Sequence, residues 1–267
     1  MRLTISHTTL YTYDAPVRYG LSRLRLTPGS DATQTVLSWK TEVEGGQKQV
    51  SYFDHFHNKV ELVSLLPEAH EIRVRSEGQV DTRDCAGVAG EHAGFAPLWL
   101  FCRETDLTAP GAQVSDLARS LGDTRKDPLS SLHALSRAIG ERVAYHKGAT
   151  TAASSVEDVL AAGKGVCQDH AHVFVSAARV LGLPARYVSG YLMMDEQVDQ
   201  DATHAWGEAY VQGLGWVGFD VSNEVCPDER YVRVATGLDY QDAAPISGLR
   251  VGSASESMVV AVQVSEQ

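Results

Sequence analysis

The sequence predicts an α+β protein, in which a β domain comes first and a second unit places helices before a further sheet. Between residues 2 and 83, polar and apolar side chains alternate in six runs that are rich in β-branched residues. From Gln113 onward, apolar residues recur at helical spacing, and strand-like runs return from Arg186. The 267 residues are enough for one large or two modest domains, each able to bury a core.

The six runs of the first domain are separated by residues that favour turns. These runs are RLTISHTTLYTY, LSRLRLTP, QTVLSWKTEVE, KQVSYFDHF, KVELVSLL and EIRVRSEGQV. Gly, Pro, Asp and Asn occur between them at residues 14–16, 28–29, 45–46 and 58, where a tight turn needs a preset or positive φ. We therefore expect a small β-sandwich or barrel-like domain over residues 1–90. The Gly- and Ala-rich stretch over 85–94 marks the crossing to a second domain at 91–267, which includes the C-terminal strand or strands.

Two helices of the second domain have clear start signals. Asp127 can cap a helix whose first position is Pro128, a residue that fits there because its missing N–H would be unpaired anyway. One apolar stripe follows, consisting of Leu129, Leu132, Leu135, Ile139 and Val143. Ser154 and Glu157 have the spacing of a capping box, which predicts a shorter helix that Gly163 ends.

The next predicted helix begins at Cys167. Its sequence, CQDHAHVFVSAARVLG, has apolar residues on one face and ends at Gly182 and Pro184. The runs RYVSGYLMM, HAWGEAYV and WVGFDV follow as strands, with a polar loop over 195–203 between the first two.

Composition disfavours several classes of function. There are 34 acidic and 23 basic residues, a net charge of −11, and no basic run, so we expect no nucleic-acid partner. The chain has no signal-like start and no apolar stretch of membrane-spanning length, which predicts a cytoplasmic protein without a membrane partner. Its four cysteines are scattered without a CxxC motif, so neither a disulfide framework nor a zinc ribbon is expected.

Cys167 is the candidate nucleophile. A helix N-terminus stabilises a thiolate through its unpaired N–H groups and the helix dipole. A lone cysteine can equally be a small buried apolar residue, which is how we interpret the other three. The glycines at 163 and 165 allow close approach of the backbone, and polar residues follow the cysteine, so the context favours a reactive thiol.

His204 and Asp220 are the candidate partners of this thiol. A histidine can act as base and then return a proton to the leaving group, and His204 opens a strand after a loop. Asp220 ends the next strand, where its carboxylate could orient the imidazole. The alternative interpretations are a solvated histidine at a loop end and an acidic residue in a turn.

The pairing of His204 with Asp220 imposes a condition on the hairpin between them. A four-residue loop would pair Gly207 with Asp220 and place His204 on the wrong face. A five-residue loop over 211–215 pairs Trp206 with Asp220, which puts His204 on the same face. The arrangement therefore requires an odd loop or a bulge, with positive φ at Gly213 or Gly215. We also expect the helix of Cys167 to pack on that face.

Three more residues are candidates for contacting the substrate or an oxyanion. Trp206 shares the strand face of His204, where it could shield the imidazole, line an acyl pocket or pack in the core. Tyr145 lies between two predicted helices and could reach the cleft. Gln168 could orient an oxyanion, although the backbone N–H of Cys167 is the more natural donor.

No metal site is predicted. His170 and His172 are two residues apart and therefore point to different sides of a helix, whereas a helical metal site needs a spacing of four. His55 and His57 could share a strand face, but no third ligand is evident.

Two segments carry a family resemblance, GVCQDHAHVFVSAARVLGLPARYVSGYL and THAWGEAYVQGLGWVGFDVSN. They resemble the bacterial branch of the transglutaminase-like superfamily, whose fold is related to the papain-like cysteine proteases. The family's Cys, His and Asp fall on Cys167, His204 and Asp220, at spacings of 37 and 16 residues. The N-terminal YTYDAPVRYGLSRLRLTP looks like the β domain that precedes this core in bacterial members, and RYVRVATGLDYQDAAPISG is similar to the tail that follows it.

The resemblance implies a papain-like core, in which a central helix packs against an antiparallel sheet, and no cofactor. The chain departs from the family pattern at His170, where an aromatic residue is usual, and at Val221 and Ser222, where Pro and Thr are usual. It also departs at Tyr231, where His is common, and at Leu238, where Arg is common. These positions bear on substrate preference and on the geometry beyond the aspartate.

The expected function is acyl transfer through a Cys–His–Asp triad and a thioester. The substrate would be a peptide, a protein or a small amide, and a homo-oligomer is compatible with the sequence. Hydrolysis by a protease or amidase is favoured over transfer to an amine, because excluding water requires a dedicated lid. The alternative is a non-catalytic peptide-binding or scaffolding module that has kept the cleft.

Overall fold

The α+β class is confirmed in a computed structural model, which describes residues 1–122, 124, 126–194, 198–252 and 255–267. Residues 195–197 of the predicted polar loop lie outside the described part. The first strands are β1 (Arg2–Val17), β2 (Tyr19–Thr27), β3 (Gln34–Glu44), β4 (Gly46–Phe53), β5 (Lys59–Leu65), β6 (Ala69–Thr82) and β7 (Val88–Gly90). The predicted turn at residues 14–16 is instead an irregularity within β1, where the register with β6 shifts between Thr12 and Val17.

The elements that follow include all five α-helices of the described residues. They are a 3-10 helix (Leu98–Cys102), α1 (Ala112–Ser120), α2 (Pro128–Arg142), β8 (Ala144–Tyr145), α3 (Val156–Ala162), β9 (Lys164–Gly165), α4 (Cys167–Val180), β10 (Ala185–Leu192), β11 (Asp199–Gln200), β12 (His204–Val211), β13 (Gly215–Phe219), β14 (Tyr231–Gly237), α5 (Tyr240–Ala243), β15 (Ile246–Val251) and β16 (Glu256–Glu266). None of these helices is both long enough and apolar enough to cross a membrane.

The first six strands, joined by β11, β15 and β16 from later in the chain, form a sandwich of two sheets. One sheet has the order β11-β16-β1-β6-β3 and the other the order β15-β2-β5-β4. Alternate side chains of both sheets meet in one apolar core, as expected for half-buried strands. This core contains Tyr13, Val17, Leu24, Leu26, Val63, Ile72 and Val74.

The second part is an antiparallel sheet of order β14-β10-β12-β13-β7, against which α4 packs. Small residues of the sheet make room for the helix, since a Cβ atom on Gly207 would lie 2.4 Å from the ring of Phe174. The helices α1, α2 and α3 cover the other sides of α4. The predicted stripe of α2 is buried in this core, with Leu132, Leu135 and Ile139 fully covered.

The C-terminal strands do not follow the expected division at residue 90. Sequence placed them in the second domain, but β15 pairs with β2 and β16 pairs with β1 over its whole length. In the other direction, β7 pairs with β13 of the helix-bearing sheet. Alternation predicts that a segment is a strand but does not predict which strand it pairs with. Here β1 has β6 on one side, and β16 supplies its neighbour on the other.

The capping signals are confirmed at α2 and shifted by one residue at α3. Asp127 accepts the backbone N–H of Ser130 at 3.0 Å, as predicted. The capping box of α3 is Ser155 with Asp158, which has the same spacing as the predicted pair one residue earlier. Glu157 instead turns its carboxylate to three backbone N–H groups at the start of α1, those of residues 111, 113 and 114.

Candidate active site

Cys167 is the first residue of α4, as the sequence predicts. The start of this helix is fixed by Asp169, whose Oδ2 accepts the N–H of Val166 at 2.7 Å and the hydroxyl of Thr150 at 2.6 Å. Gly165 allows this arrangement, because a Cβ atom there would lie 2.8 Å from the side chain of Asp169. The thiol is half-buried at the end of the helix, within reach of solvent and of a substrate.

The hairpin between β12 and β13 has the odd register that the sequence argument requires. Gly207 pairs with Phe219 and Val211 pairs with Gly215, so the next pair in the same register would be Trp206 with Asp220. Both glycines of the turn have positive φ, 87° at Gly213 and 83° at Gly215. His204 and Asp220 therefore project from the same face of the sheet.

The helix α4 lies on the opposite face from the one expected. Ala205 and Gly207 face it, and the alternation of β12 therefore turns His204 and Trp206 away from it. The thiol reaches the histidine because Cys167 is at the first turn of α4 and His204 is the first residue of β12. The two meet at the end of the sheet rather than across its face.

His204 lies between the thiol and the carboxylate. Its Nε2 is 2.6 Å from Oδ2 of Asp220, and the thiol of Cys167 lies near enough to the imidazole to raise its pKa. Burial is the strongest influence on the pKa of His204 and lowers it. The hydrogen bonds and charges of Asp220 and Cys167 together outweigh burial and raise this pKa from 6.5 to about 10. The imidazole therefore holds its proton at neutral pH.

Asp220 is fully buried and is held by five hydrogen bonds. Besides His204, its Oδ2 accepts the side-chain amide of Asn223 at 2.7 Å and the hydroxyl of Tyr231 at 2.8 Å. Its Oδ1 accepts the backbone N–H groups of Ser222 and Asn223 at 3.0 and 3.3 Å. Burial alone would raise the pKa of Asp220, but these donors, with His204 first, lower it, so the carboxylate stays ionised.

The thiol and the imidazole open into a cleft of about 760 Å³. Gln168 and Tyr145 line this cleft. The parallel pairing of β8 with β9 places Tyr145 beside Gly165, two residues before the thiol. Trp206 does not line the cleft; it is buried with Val188, Leu192 and Tyr231 behind His204. Its ring stacks against the imidazole of His204 with centroids 6.3 Å apart, so Trp206 packs in the core and shields the imidazole.

The two histidines of α4 bind protein groups. His170 contacts the carbonyl of Val143 and the hydroxyl of Ser222, and Nε2 of His172 accepts the backbone N–H of Tyr240 at 3.0 Å. Within the described ranges, no cluster of three His, Cys, Asp or Glu side chains is arranged to hold a metal ion.

Sequence reasoning missed the donors that surround the carboxylate. Asn223 and Ser222 lie directly after Asp220, and an Asx-type turn there could have been suspected from the Asp–x–Ser–Asn order. Tyr231 was noted only as a departure from the family pattern. Its hydrogen bond to Asp220 connects β14 with the end of β13, and no local sequence pattern indicates this contact.

Comparisons with known proteins agree with this architecture. The profile of the transglutaminase-like superfamily matches residues 115–221, and that of the bacterial transglutaminase-like N-terminal region matches residues 3–81. An uncharacterized protein of Mycobacterium leprae is 29% identical over 277 residues, which cover 99% of this chain and 98% of that protein. A protein-glutamine gamma-glutamyltransferase of Pseudomonas aeruginosa is 29% identical over 155 residues, which cover 50% of this chain and 23% of that protein.

A solved structure shares the whole fold. It is described as a "putative cysteine protease" from Cytophaga hutchinsonii, and it superposes with a TM-score of 0.75 at 22% identity, covering 100% of this chain and 91% of that one. The two matched regions follow each other in the order that the fold shows, with the N-terminal sandwich before the helix-bearing sheet. Residues 115–221 therefore form a transglutaminase-like core, and residues 3–81 form a bacterial transglutaminase-like N-terminal region.

Proposed function

We propose that this protein is a cysteine-dependent acyl-transfer enzyme that acts on a peptide or carboxamide bond. The observation that carries the proposal is the position of His204, which is bonded to the buried carboxylate of Asp220 and lies beside the thiol of Cys167, near enough for the thiol to raise its pKa. A nucleophile, a proton-transferring imidazole and an orienting acid are the three groups that such chemistry needs.

The first half-reaction forms a thioester. The sulfur of Cys167 attacks the carbonyl carbon, and the carbonyl oxygen takes the negative charge beside the backbone N–H groups at the start of α4. As the C–N bond breaks, the proton on Nδ1 of His204 passes to the departing nitrogen, and an amine leaves. Asp220 stays ionised throughout and stabilises the imidazolium before this transfer.

The second half-reaction depends on the acceptor. His204, now neutral, takes a proton from water or from an amine as that nucleophile attacks the thioester, and the thiolate leaves. We favour water, because the rim of the cleft carries the well-exposed side chains of Lys147 and Asp201 and is open to solvent. The names of the similar proteins point to both outcomes, a gamma-glutamyltransferase and a cysteine protease.

The decisive experiment is incubation of the protein with a mixed library of peptides and primary amines, followed by mass spectrometry. Hydrolysis yields new carboxyl termini or deamidated glutamine, whereas transfer yields amides that contain the added amine. Products that require Cys167 support acyl transfer in either form. Retained peptides without any covalent change, together with an unreactive thiol, would indicate the peptide-binding module instead.

Selective alkylation of Cys167 is the expected result of treating the protein with iodoacetamide near pH 6.5. The thiol of Cys167 opens into the cleft beside the imidazole of His204, which can take its proton as the sulfur attacks, whereas burial raises the pKa of Cys102 and of Cys226. We expect Cys167 to react at least about tenfold faster than each of the other cysteines, including Cys85. Peptide mapping of the labelled protein measures this, and equal rates at all four positions would contradict an activated thiol.

Tyr231→Phe is expected to reduce kcat by about 3- to 10-fold, because the variant loses one hydrogen bond to the charged Asp220. Tyr191→Phe is the matched control: its hydroxyl is also buried and bonded, to Nδ1 of His7 at 2.9 Å, but it lies outside the cleft. Steady-state kinetics and thermal unfolding should show a loss of stability in both variants and a loss of rate in Tyr231→Phe alone. Equal rates in the two variants would show that the hydroxyl of Tyr231 does not support Asp220.

A further inference from the structure

His170 lies one turn beyond Cys167 on α4, and both of its ring nitrogens are engaged. Nε2 is 2.8 Å from the carbonyl oxygen of Val143, and Nδ1 is 2.8 Å from the hydroxyl oxygen of Ser222. The side chain is only 3% exposed, and burial lowers its pKa, so the ring is neutral near pH 7. Because a carbonyl oxygen only accepts, Nε2 carries the proton, and Nδ1 accepts the hydroxyl proton of Ser222.

Ser222 connects this histidine to the turn that holds Asp220. Its backbone N–H donates to Oδ1 of Asp220 at 3.0 Å, while its hydroxyl donates to His170. Ser222 also lines the cleft, as Cys167 does. One serine is therefore bound through its backbone to the carboxylate and through its side chain to the helix that carries the thiol.

Val143 is the third point of attachment. It follows the last residue of α2 and directly precedes β8, the strand that carries Tyr145 into the cleft. The hydrogen bond from His170 to its carbonyl therefore ties this segment to α4 as well. Because hydrogen bonds are directional, two bonds at opposite ring nitrogens fix both the rotation of the ring and the spacing of the segments that it joins.

We infer that His170 and Ser222 are positioning residues, which align Cys167 with His204 and Asp220. The inference rests on the proposed function, since this alignment affects turnover only if Cys167 is the nucleophile. An apolar side chain at position 170 would fill the same space but leave the Ser222 hydroxyl and the Val143 carbonyl without this partner. A small displacement of reacting groups lowers the rate of the chemical step more than it lowers substrate binding.

A double-mutant cycle distinguishes positioning from packing. Ser222→Ala removes the hydroxyl, Ser222→Thr keeps it, and His170→Phe keeps a ring without its nitrogens. We expect Ser222→Ala and His170→Phe each to lower kcat about 5- to 10-fold with KM changed less than about twofold. Ser222→Thr should restore the rate, and the double variant should be no slower than the slower single one, because both changes break the same bridge. Ser131→Ala, which loses an exposed serine hydrogen bond on α2, is the control.

A second readout needs no substrate. It is the NMR resonance of the N–H proton that His204 shares with Asp220, measured together with the rate of alkylation at Cys167. If the wild-type protein shows no turnover, the proposed function fails, but Ser222→Ala should still shift the His204 resonance. Additive rate losses, a Ser222→Thr variant as slow as Ser222→Ala, or an effect confined to KM would overturn the inference. An unshifted resonance with unchanged alkylation in Ser222→Ala would overturn it too.

Discussion

Replacing Cys167 with alanine is expected to lower kcat by about 10⁴-fold or more, on the order of 5 kcal/mol in the activation free energy. Without the sulfur no thioester forms, and only the weaker effects of binding and of the oxyanion donors at the start of α4 remain. His204→Ala should cost a similar factor, because the leaving amine then receives no proton. The measurement is turnover of the substrate that the peptide and amine library identifies.

The double variant Cys167→Ala/His204→Ala should be no slower than either single variant, since groups that act as one unit do not add. Cys102→Ala is the matched control, because that cysteine lies outside the cleft. Its rate should equal that of the wild type. Turnover that survives in Cys167→Ala, with thermal unfolding unchanged, would remove the thiol from the mechanism and leave the binding-module interpretation.

The parts of the site that sequence could predict are those with local signals. A helix start is marked by residues within one turn, and this placed Cys167 at the N-terminus of α4. The hairpin offered a second local test, because strand alternation ties the faces of His204 and Asp220 to the length of the loop between them. The observed register meets that condition.

The parts that sequence could not predict depend on which segments meet in space. Alternation marks β16 as a strand but does not reveal that it completes the sheet of β1. Sequence alone also does not tell which face of the sheet α4 covers. In the structure it covers the face of Ala205 and Gly207, where there is room for the helix. Tyr231 reaches Asp220, and His170 reaches Ser222, only through tertiary contacts, so each could be noticed in the sequence without its partner being known.

Asp220→Asn is expected to lower kcat at pH 7 by about 10² to 10³-fold, less than the loss of the nucleophile. An orienting residue forms no bond to the substrate, but the neutral amide no longer holds the imidazolium of His204. The hydrogen bond and charge of Asp220 are the main influences that raise the pKa of His204 to about 10 against the effect of burial. In wild-type protein, kcat/KM should therefore fall only as pH rises through about 10, whereas in Asp220→Asn this fall should move toward or below 6.5.

The raised pKa of His204 also makes the stability of the fold depend on pH. Because the pKa of His204 is higher in the folded protein than its ordinary 6.5, its protonation stabilises the fold fully below pH 6.5, and this contribution is lost as pH rises through about 10. The difference in unfolding free energy between wild type and Asp220→Asn should thus shrink at alkaline pH.

Asp228→Asn is the matched control, since that carboxylate pairs with Arg230 on a nearby turn and lies outside the cleft. Denaturant unfolding and kcat/KM, both measured between about pH 5 and pH 11, test the expectation. An Asp220→Asn variant with wild-type turnover and an unshifted alkaline fall would show that Asp220 does not control the proton on His204.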